Sequence, residues 1–576
     1  MRKIVVDIET NGLYNADTIW VAVLQDIETD RAIITLNKED FNRNIKPDDI
    51  IIGHNFVQFD VYWLNKLWLT GIEHKNIVDT LVLSTLFNPD RQGGHSLSSW
   101  GDRLHLPKGE HNDWSKLTPE MVDYCVQDVK VTAKLYKHLI TKEKLDFSEE
   151  SIRLEHDIAR IIAEQKRYGF YLNERKAHTL MADIKEQSNV ILKEIRKTIL
   201  PKPKLIREVH PKKKKDGTTS SVGIKHIHNY EDVVGGSFSS IEFEPFNLGS
   251  PKQIIERLNM YGWRPIDFTK KGQPRITEEN LETIPDEAPR AIKGVAKWKM
   301  LETRAKTIEG WLDALTKDGR VHGDVYPMGA VTGRMTHANP NLANIVSNEK
   351  PYGAECRSCW TVPDDYVMVG MDAKGLELRM LAHYMKDEKF IDEVVNGDPH
   401  TFNQKAAGLD TRAQAKTFIY AFLYSAGGAK LGAIVGGSAK DGEQLKQKFL
   451  NNVPQLSKLI NAVKGKATRG YIRGIDGRRL YVRNVRAALN TLLQGGGAIV
   501  CKQWSILLDK EIKRLKLDAH LVNTIHDEQQ YEVARKDAQD VVELADKTIQ
   551  DVGKLFNLRV MLNADAKIGN NWSETH

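Results

Sequence analysis

Residues 366–381 read YVMVGMDAKGLELRML. The apolar run predicts a buried strand that reaches Asp372 near its end, and Glu377 and Arg379 follow in a turn that leads into a helix. An acid at the end of an apolar strand has no specific meaning by itself. Its meaning depends on which other charged side chains the fold brings to the same place.

A second stretch, DTRAQAKTFIYAFLYSAG at 410–427, predicts a helix with one distinctive face. Four side chains recur there every four residues and therefore follow one side of the helix with a slow drift: Arg412, Lys416, Tyr420 and Tyr424. Two cations followed by two rings offer a surface for a triphosphate at one end and a base at the other. The alternative is a solvated basic face beside a half-buried aromatic stripe.

Two adjacent acids, Asp527 and Glu528, lie in NTIHDEQQYEV at 523–533. The apolar residues on either side predict strands, so the acids fall at the turn of a hairpin. A polar turn at the protein surface is the simplest interpretation. The acids gain a role only if the fold brings them to a partner such as Asp372.

The first 145 residues alternate short β-branched runs with helical stretches and predict an α/β domain that carries further acids. Strand alternation puts Asp7 and Glu9 on one face, close enough to hold one divalent ion. Asp60 follows another apolar strand. Tyr124 and Asp128 are four residues apart and share one face of a helix.

The chain has 576 residues, of which 41% are hydrophobic and 28% are charged, and this indicates a globular protein of three or four domains. Its 83 Lys and Arg and 77 Asp and Glu give a net charge of +6, which permits a nucleic-acid partner without requiring one. The four cysteines indicate reduced thiols, and the CxxC of Cys356 and Cys359 lacks a second pair for zinc. Without a signal peptide or an apolar run of membrane length, we expect a cytoplasmic protein.

The N-terminal acids and the tyrosine occur in DxE, NxxxxD and YxxxD elements, and in this order they resemble the DEDDy group of 3′→5′ exonucleases. The resemblance covers residues 1–145 and implies a ribonuclease H-like α/β domain. It also implies that Tyr124 orients an attacking water. The implied ligands of two Mg²⁺ ions, for which Mn²⁺ can substitute, are Asp7, Glu9, Asp60 and Asp128.

The rest of the chain resembles the family A DNA polymerases. Together with the exonuclease resemblance, this one covers essentially the whole chain. Within the family, the motifs of this chain are most similar to those of the replicases of short-tailed podophages of the T-seven type. DAKGLELR, RAQAKTFIYAFLY and HDE resemble motifs A, B and C of the family. The other family signatures are matched by TGRMTHANPNLANI (332–345), GDPHTF (397–402) and RAALNTLLQGGGA (486–498).

The resemblance implies a right-hand polymerase after the exonuclease domain, with an α+β palm and helical fingers and thumb. The implied boundaries are thumb at 146–330, palm at 331–385 and 475–576, and fingers at 386–474. Residues 201–246 interrupt the thumb with a basic, turn-rich stretch that predicts a loop or small insertion. Three roles stay open for it: contact with duplex phosphates, docking of an accessory protein such as a processivity factor, or a disordered surface loop.

The resemblance also implies roles for single residues. Asp372 and Asp527 bind two Mg²⁺ ions, with Glu528 as a supporting acid. The triphosphate is contacted by Arg412, Lys416 and His400, with Lys416 as a candidate proton donor to pyrophosphate. Glu377 against Tyr424 fills the space of a ribose 2′-hydroxyl and so selects deoxynucleotides.

Contacts to the primer and the template minor groove are implied for Arg334, Arg486, Asn490, Gln494 and His526. Tyr420 stands where many members have Phe, which implies weak discrimination against dideoxynucleotides. Lys374 replaces a small polar residue near the metal site, and the sequence gives no account of that charge.

Together these features predict a monomeric phage replicative DNA polymerase with proofreading that binds primer-template DNA and deoxynucleoside triphosphates in a bacterial cytoplasm. An RNA-processing exonuclease with a helical appendage would use residues 1–145 alone. A non-enzymatic DNA-binding scaffold would need neither set of carboxylates.

Overall fold

The structure is a computed structural model that describes residues 1–144, 147–222, 224 and 236–576. Its internal contacts divide the chain into two compact units. One comprises Met1–Asn173 with Ala314–His576, and the other comprises Glu174–Asp313. Among the described helices, none combines the length and the apolar character needed to cross a bilayer.

The segment up to Asn173 alternates strands and helices, as the sequence predicts. Its strands are β1 (Lys3–Thr10), β2 (Ile19–Asp26), β3 (Ala32–Thr35), β4 (Ile50–Gly53), β5 (Ile77–Asp79) and β6 (Phe170–Tyr171). Its helices are α1 (Lys38–Asn44), α2 (Asp60–Leu67), α3 (Thr80–Phe87), α4 (Leu97–Arg103), α5 (Pro119–His138) and α6 (Glu149–Tyr168).

Five of these strands form a mixed sheet in the order β3-β2-β1-β4-β5. The central strand β1 is antiparallel to β2 and parallel to β4. Alternate residues of β1 enter two apolar cores, with Val5 in one and Ile4 and Val6 in the other. The core around Val5 also contains Cys125 and Val129 of α5. The odd-numbered residues of β1 therefore share a face of the sheet with α5.

The unit Glu174–Asp313 is built on two long helices that pack against each other. Its elements are α7 (Glu174–Thr198), β7 (Lys202–Val209), β8 (Phe238–Glu244), α8 (Pro251–Asn259), α9 (Glu278–Leu281) and α10 (Arg290–Asp313). Strands β7 and β8 pair as an antiparallel ribbon, so the loop prediction for residues 201–246 was wrong at both ends of that stretch. The ends pair because β-branched and aromatic residues such as Ile206, Ile241 and Phe243 favour a strand. Residues 223 and 225–235 lie outside the described part.

The segment from Ala314 onward contains the remaining elements. Its strands are β9 (Arg320–Val321), β10 (Asp324–Tyr326), β11 (Thr336–Ala338), β12 (Tyr366–Ala373), β13 (Tyr471–Arg473), β14 (Arg479–Tyr481), β15 (Ala519–Ile525), β16 (Glu528–Ala534) and β17 (Ala564–Gly569). Its helices are α11 (Gly353–Arg357), α12 (Leu376–Met385), α13 (Glu388–Val395), α14 (Pro399–Ala407), α15 (Arg412–Leu423), α16 (Gly428–Ala433), α17 (Ala439–Asn452), α18 (Pro454–Ala467), α19 (Ala488–Leu515) and α20 (Ala538–Leu555).

Four strands of this segment form an antiparallel sheet in the order β15-β16-β12-β17. In β12, Val369 and Met371 are buried in the large core that also includes residues of α12, α15, α19 and α20. Gly370 allows a close approach there, because a Cβ on it would lie 2.6 Å from both Gln530 and Thr575 side chains. The stretch 366–381 is thus a buried strand followed by helix α12, as the sequence predicts.

Candidate active sites

Three elements bring together the residues of what is termed the N-terminal site: Asp7, Glu9, Asp60, Tyr124 and Asp128. β1 carries Asp7 and Glu9 on the face shared with α5, which carries Tyr124 and Asp128. Asp60 begins α2, and its Oδ1 accepts a hydrogen bond of 3.2 Å from the backbone N–H of the residue between Asp7 and Glu9. All four acids predicted from the sequence therefore lie in one cluster.

Burial raises the pKa of every carboxyl group in the N-terminal site, and repulsion from neighbouring acids adds to this for Asp7, Glu9 and Asp60. Burial, followed by the charges of Asp60 and Glu9, holds the pKa of Asp7 well above its ordinary value. Burial raises the pKa of Glu9 to about 7, and it also raises the pKa values of Asp60 and Asp128. A cluster of this kind favours a bound cation, because a positive charge relieves the repulsion among ionised carboxylates.

The C-terminal site forms where β12 meets the turn between β15 and β16. Asp372 pairs in register with Glu528, and the N–H of Ala373 donates a hydrogen bond of 3.0 Å to the carbonyl of Asp527. Burial, followed by the charges of Asp527 and Glu528, raises the pKa of Asp372 to about 8. Burial also raises the pKa of Asp527. The hairpin turn predicted from the sequence thus lies beside the acid of β12.

Glu528 differs from these two acids because protein groups occupy its carboxylate. Its Oε1 accepts hydrogen bonds from Trp572 Nε1 at 2.5 Å and from Gln530 Nε2 at 2.7 Å. Its Oε2 lies 2.9 Å from His576 Nδ1. These interactions, led by that with His576, outweigh burial and lower the pKa of Glu528. The segment after β17 therefore stabilises the ionised form of this acid.

Helix α15 presents Arg412, Lys416 and Tyr420 along one side, and Tyr424 caps its C-terminal end. Arg412 and Lys416 are exposed, whereas Tyr420 is half-buried. Burial, followed by the charge of Glu377, raises the pKa of Tyr420. The helix therefore leads from two exposed cations to two rings, which is the arrangement that the sequence predicts.

His400, near the start of α14, faces the same side of α15. The ring centroids of His400 and Tyr420 are 6.2 Å apart. Burial, followed by the charge of Arg412, lowers the pKa of His400. Arg412 forms a two-pronged ion pair with Asp398, with distances of 2.6 Å from Nε and 3.1 Å from Nη2. Asp398 thus holds the guanidinium at the end of this face.

Glu377, in the first turn of α12, joins α15 to the stretch before β11. Its Oε1 accepts a hydrogen bond of 2.8 Å from the Tyr424 hydroxyl and one of 2.9 Å from Arg334 Nη2. Burial, followed by the bond to Glu377, raises the pKa of Tyr424 to about 12. The predicted pairing of Glu377 with Tyr424 is therefore present, with Arg334 as a third member.

The other predicted DNA contacts lie on α19 and on the hairpin turn. Arg486 is exposed just before α19, and Asn490 and Gln494 follow within the helix at four-residue spacing, both half-buried. Ser425 Oγ donates a hydrogen bond of 3.0 Å to the carbonyl of Arg486. His526 lies in the hairpin turn, where its backbone adopts a positive φ of 55°.

Comparison with protein families identifies the fold. The model of DNA polymerase family A matches residues 225–574. The chain belongs to DNA polymerase family A. A 3′-5′ exonuclease model matches residues 1–143 of the polymerase, which contain the N-terminal site. This match across both halves overturns the alternatives of an RNA-processing exonuclease and of a non-enzymatic scaffold.

Two phage enzymes are similar to the polymerase over nearly their whole length. It is 33% identical to the DNA-directed DNA polymerase of Enterobacteria phage T3, over 92% of this chain and 93% of the relative. It is 32% identical to the DNA-directed DNA polymerase of Escherichia phage T7, over 100% of both chains. The similarity to podophage enzymes expected from the sequence is confirmed.

A solved structure shares the fold of the polymerase at low sequence identity. The POL domain of Pol1 from M. smegmatis, in complex with DNA primer-template and dNTP, has a TM-score of 0.77 and 20% identity. The match covers 99% of this chain and 95% of that one. The predicted architecture, an α/β exonuclease domain followed by a polymerase domain, is confirmed.

Three side chains of the exonuclease domain contact the acids of the N-terminal site and were not predicted from the sequence. Lys108 Nζ lies 2.7 Å from Asp128 Oδ2, and Trp114 Nε1 donates a hydrogen bond of 3.1 Å to Glu9 Oε2. Cys125 Sγ lies with one oxygen each of Asp7 and Glu9 in a group whose atoms are within 4.8 Å of one another. No periodicity marks these residues, because two of them lie in the loop before α5 and the third is an ordinary core position of that helix.

Proposed function

We propose that the polymerase extends primers at the C-terminal site and removes 3′-terminal nucleotides at the N-terminal site. The observation that carries this proposal is the pair of separate acidic clusters, each built around a buried strand, within domains of the two matching families. Family A polymerases and their exonucleases use divalent metal ions. We propose Mg²⁺, two per site, with Mn²⁺ as a substitute.

The donor atoms of both sites suit these ions. Carboxylate oxygens are the ligands that Mg²⁺ and Mn²⁺ prefer. Within the described residues, Asp128 Oδ1 is buried and has no hydrogen-bond partner, so it is available to a cation. The proposed ligands are Asp7, Glu9, Asp60 and Asp128 in the exonuclease and Asp372 and Asp527 in the polymerase.

In the polymerase site, the ions would activate the primer 3′-hydroxyl and neutralise the leaving pyrophosphate. Arg412, Lys416 and His400 hold the phosphates, because their cationic or donor groups face one side of α15. Lys416 gives a proton to the pyrophosphate oxygen. Tyr420 packs against the base of the incoming nucleotide.

Glu528 acts as a supporting acid in this proposal. Three donors already occupy its two oxygens, and its lowered pKa keeps it ionised without a metal ion. Its negative charge then adds to the field that attracts cations to Asp372 and Asp527.

Sugar selection and DNA contacts follow from the neighbours of α15. Glu377 and Tyr424, bonded to each other, fill the volume that a ribose 2′-hydroxyl needs, so a ribonucleotide would have to displace this pair. Contacts to primer and template come from Arg334, Arg486, Asn490, Gln494 and His526, which read minor-groove acceptors common to all correct pairs.

In the exonuclease site, bound ions would activate water and stabilise the leaving 3′-oxygen. Tyr124 orients that water from α5, one turn from Asp128. Asp60 has two roles in this proposal. It is a metal ligand, and its hydrogen bond fixes the backbone between Asp7 and Glu9.

The domain assignment and the partners complete the proposal. The exonuclease spans 1–145, the thumb 146–330, the palm 331–385 with 475–576, and the fingers 386–474. Residues 201–246 would bind duplex phosphates or a processivity factor, since the ribbon exposes Leu205, Ile241 and Phe243 among several lysines. We propose a monomeric phage replicase that acts in the bacterial cytoplasm.

A primer-extension gel with matched and mismatched primers tests the assignment, with Mg²⁺ and with or without deoxynucleotides. Asp372→Ala or Asp527→Ala abolishes extension and leaves degradation intact. Asp7→Ala with Glu9→Ala has the opposite effect. Extension that survives in either single variant contradicts the polymerase site, and degradation that survives in the double variant contradicts the exonuclease site.

A further inference from the structure

The loop before α5, residues 104–118, runs past the exonuclease site and is fixed at the point where Lys108 leaves it. The N–H of Leu106 donates a hydrogen bond of 2.9 Å to the carbonyl of Gly101. Gln127 Nε2, on α5, donates one of 2.7 Å to the carbonyl of Pro107. The backbone next to Lys108 is therefore held against the helix that carries Tyr124 and Asp128.

The Lys108 ammonium lies between two residues of the site. Its Nζ is 2.7 Å from Asp128 Oδ2 and 4.8 Å from the centroid of the Tyr124 ring. The neighbouring Gly109 also packs on that ring, since a Cβ there would lie 3.3 Å from Tyr124 Cδ2. The Lys108 side chain is 25% exposed and that of Asp128 is 5% exposed, so the contact is largely withdrawn from water.

Lys108 engages only one oxygen of Asp128. The other oxygen, Oδ1, is buried without a partner in the part of the chain that the structure describes. An ammonium on Oδ2 fixes the rotation of the carboxylate and leaves Oδ1 for a metal ion. The same charge acts on three of the four acids, because it opposes the rise in the pKa values of Asp7 and Glu9 as well as that of Asp128.

We propose that Lys108 is a positioning residue of the exonuclease reaction, which holds Asp128 and Tyr124 in place and balances part of the charge of the acidic cluster. The inference rests on the proposed exonuclease site. Removing the Lys108 ammonium is therefore expected to change cation affinity and the rate of hydrolysis in opposite directions. Loss of the ammonium lets a divalent cation bind more tightly, because a nearby positive charge no longer repels it. The same loss slows hydrolysis, because Asp128 and Tyr124 are no longer held in the reactive arrangement.

Lys108→Met is the variant that separates these consequences, and Lys116→Met, in the same loop but exposed, is its matched control. Mn²⁺ binding is measured by calorimetry on DNA-free protein that also carries Asp372→Ala and Asp527→Ala, so that the polymerase site does not contribute. Single-turnover degradation of single-stranded DNA at saturating Mg²⁺ gives the rate. Primer extension by Lys108→Met with the polymerase site intact reports correct folding.

We expect Lys108→Met to bind Mn²⁺ about tenfold more tightly and to degrade DNA at least about tenfold more slowly. Lys108→Arg, which keeps the charge, is expected to bind Mn²⁺ like the wild type, and Lys108→Gln, which also removes the charge, takes the place of Lys108→Met if that variant does not fold. Mn²⁺ affinity and rate that match those of Lys116→Met overturn the inference. So does weaker Mn²⁺ binding in Lys108→Met, or tighter binding in Lys108→Arg. If Asp7→Ala with Glu9→Ala fails to stop degradation, the site itself is misassigned, which is a separate result.

Discussion

Replacing Lys502 by Met tests a buried ion network that joins α6, the helix after the exonuclease domain, to the long helix α19. Lys502 Nζ, on α19, lies 2.8 Å from both carboxylate oxygens of Glu155, on α6. Arg478 Nη1 is 2.5 Å from Glu155 Oε1, and Arg478 Nε is 2.7 Å from Asp476 Oδ2. The side chains of all four residues are at most 2% exposed.

The network has two positive and two negative groups, and Lys502→Met leaves one negative charge uncompensated. Burial, opposed by the charge of Glu155, lowers the pKa of Lys502 to about 8, so the ammonium is still charged at pH 7. Removal of one partner from a buried ion pair costs about 3–5 kcal/mol. Met keeps most of the side-chain volume, so the cavity adds little. We expect a loss of about 3 kcal/mol, because Met also avoids the cost of burying an ammonium.

Calorimetric or fluorescence-detected unfolding at pH 7 measures the loss, and Lys513→Met provides the matched control on the same helix. Lys513 pairs with Glu164 and Asp509 but is 52% exposed, so its replacement is expected to cost less than about 1 kcal/mol. Adding Glu155→Gln to Lys502→Met restores the charge balance and should recover at least about 1 kcal/mol. A Lys502→Met variant as stable as Lys513→Met, or a double variant weaker than the single one, refutes the reasoning.

Three further predictions concern the two sites. Glu377→Ala removes the acceptor of the Tyr424 hydroxyl, and we expect the ratio of ribonucleotide to deoxynucleotide kcat/KM to rise at least about tenfold in steady-state incorporation assays; an unchanged ratio contradicts the selection role. In EDTA, Glu9 should contribute a fall in folding stability of about 3 kcal/mol from pH 4.5 to pH 7, measured as the difference between the wild-type and Glu9→Gln profiles, because the folded pKa of Glu9 is raised from 4.5 to about 7 and the folded state binds the extra proton in that window. Thermal melts of Glu9→Gln should show a flatter profile. Trp572→Phe deprives Glu528 of a buried donor, so we expect a stability loss of about 1–3 kcal/mol and slower primer extension with unchanged exonuclease activity.

Local patterns were enough to predict the strands and helices that carry the acids. The run before Asp372 is apolar at nearly every position, which is how a strand covered on both faces reads in sequence. A local helix-start signal is also present in the sequence, since Ser250 is a typical N-cap residue and accepts a hydrogen bond from the N–H of Gln253 at the start of α8. The grouping of distant acids, however, depended on family resemblance, because no local pattern states which strand pairs with which.

The features that the sequence did not reveal are single contacts made by irregular segments. Lys108 and Trp114 belong to a loop, where no period links one position to the next, and their partners Asp128 and Glu9 are far away in the chain. The sequence did not predict the ribbon of β7 and β8, because lysines, prolines and turn residues surround its few β-branched positions.

Adjacent acids can have opposite chemistry, and the structure gives a physical reason for the separate roles that the family resemblance implies for Asp527 and Glu528. In the turn HDE, burial raises the pKa of Asp527, whereas donors from Trp572, Gln530 and His576 lower that of Glu528. An acid with a raised pKa gains most from a cation, because the ion replaces the solvation that burial removed. An acid already satisfied by protein donors gains least, since a metal ion would first have to displace them. The same distinction applies within Asp128, whose Oδ2 holds Lys108 while its Oδ1 has no partner among the described residues. Metal ligands in both sites are thus expected where the protein leaves buried oxygens unsatisfied, which favours Asp527 over Glu528 as the ligand.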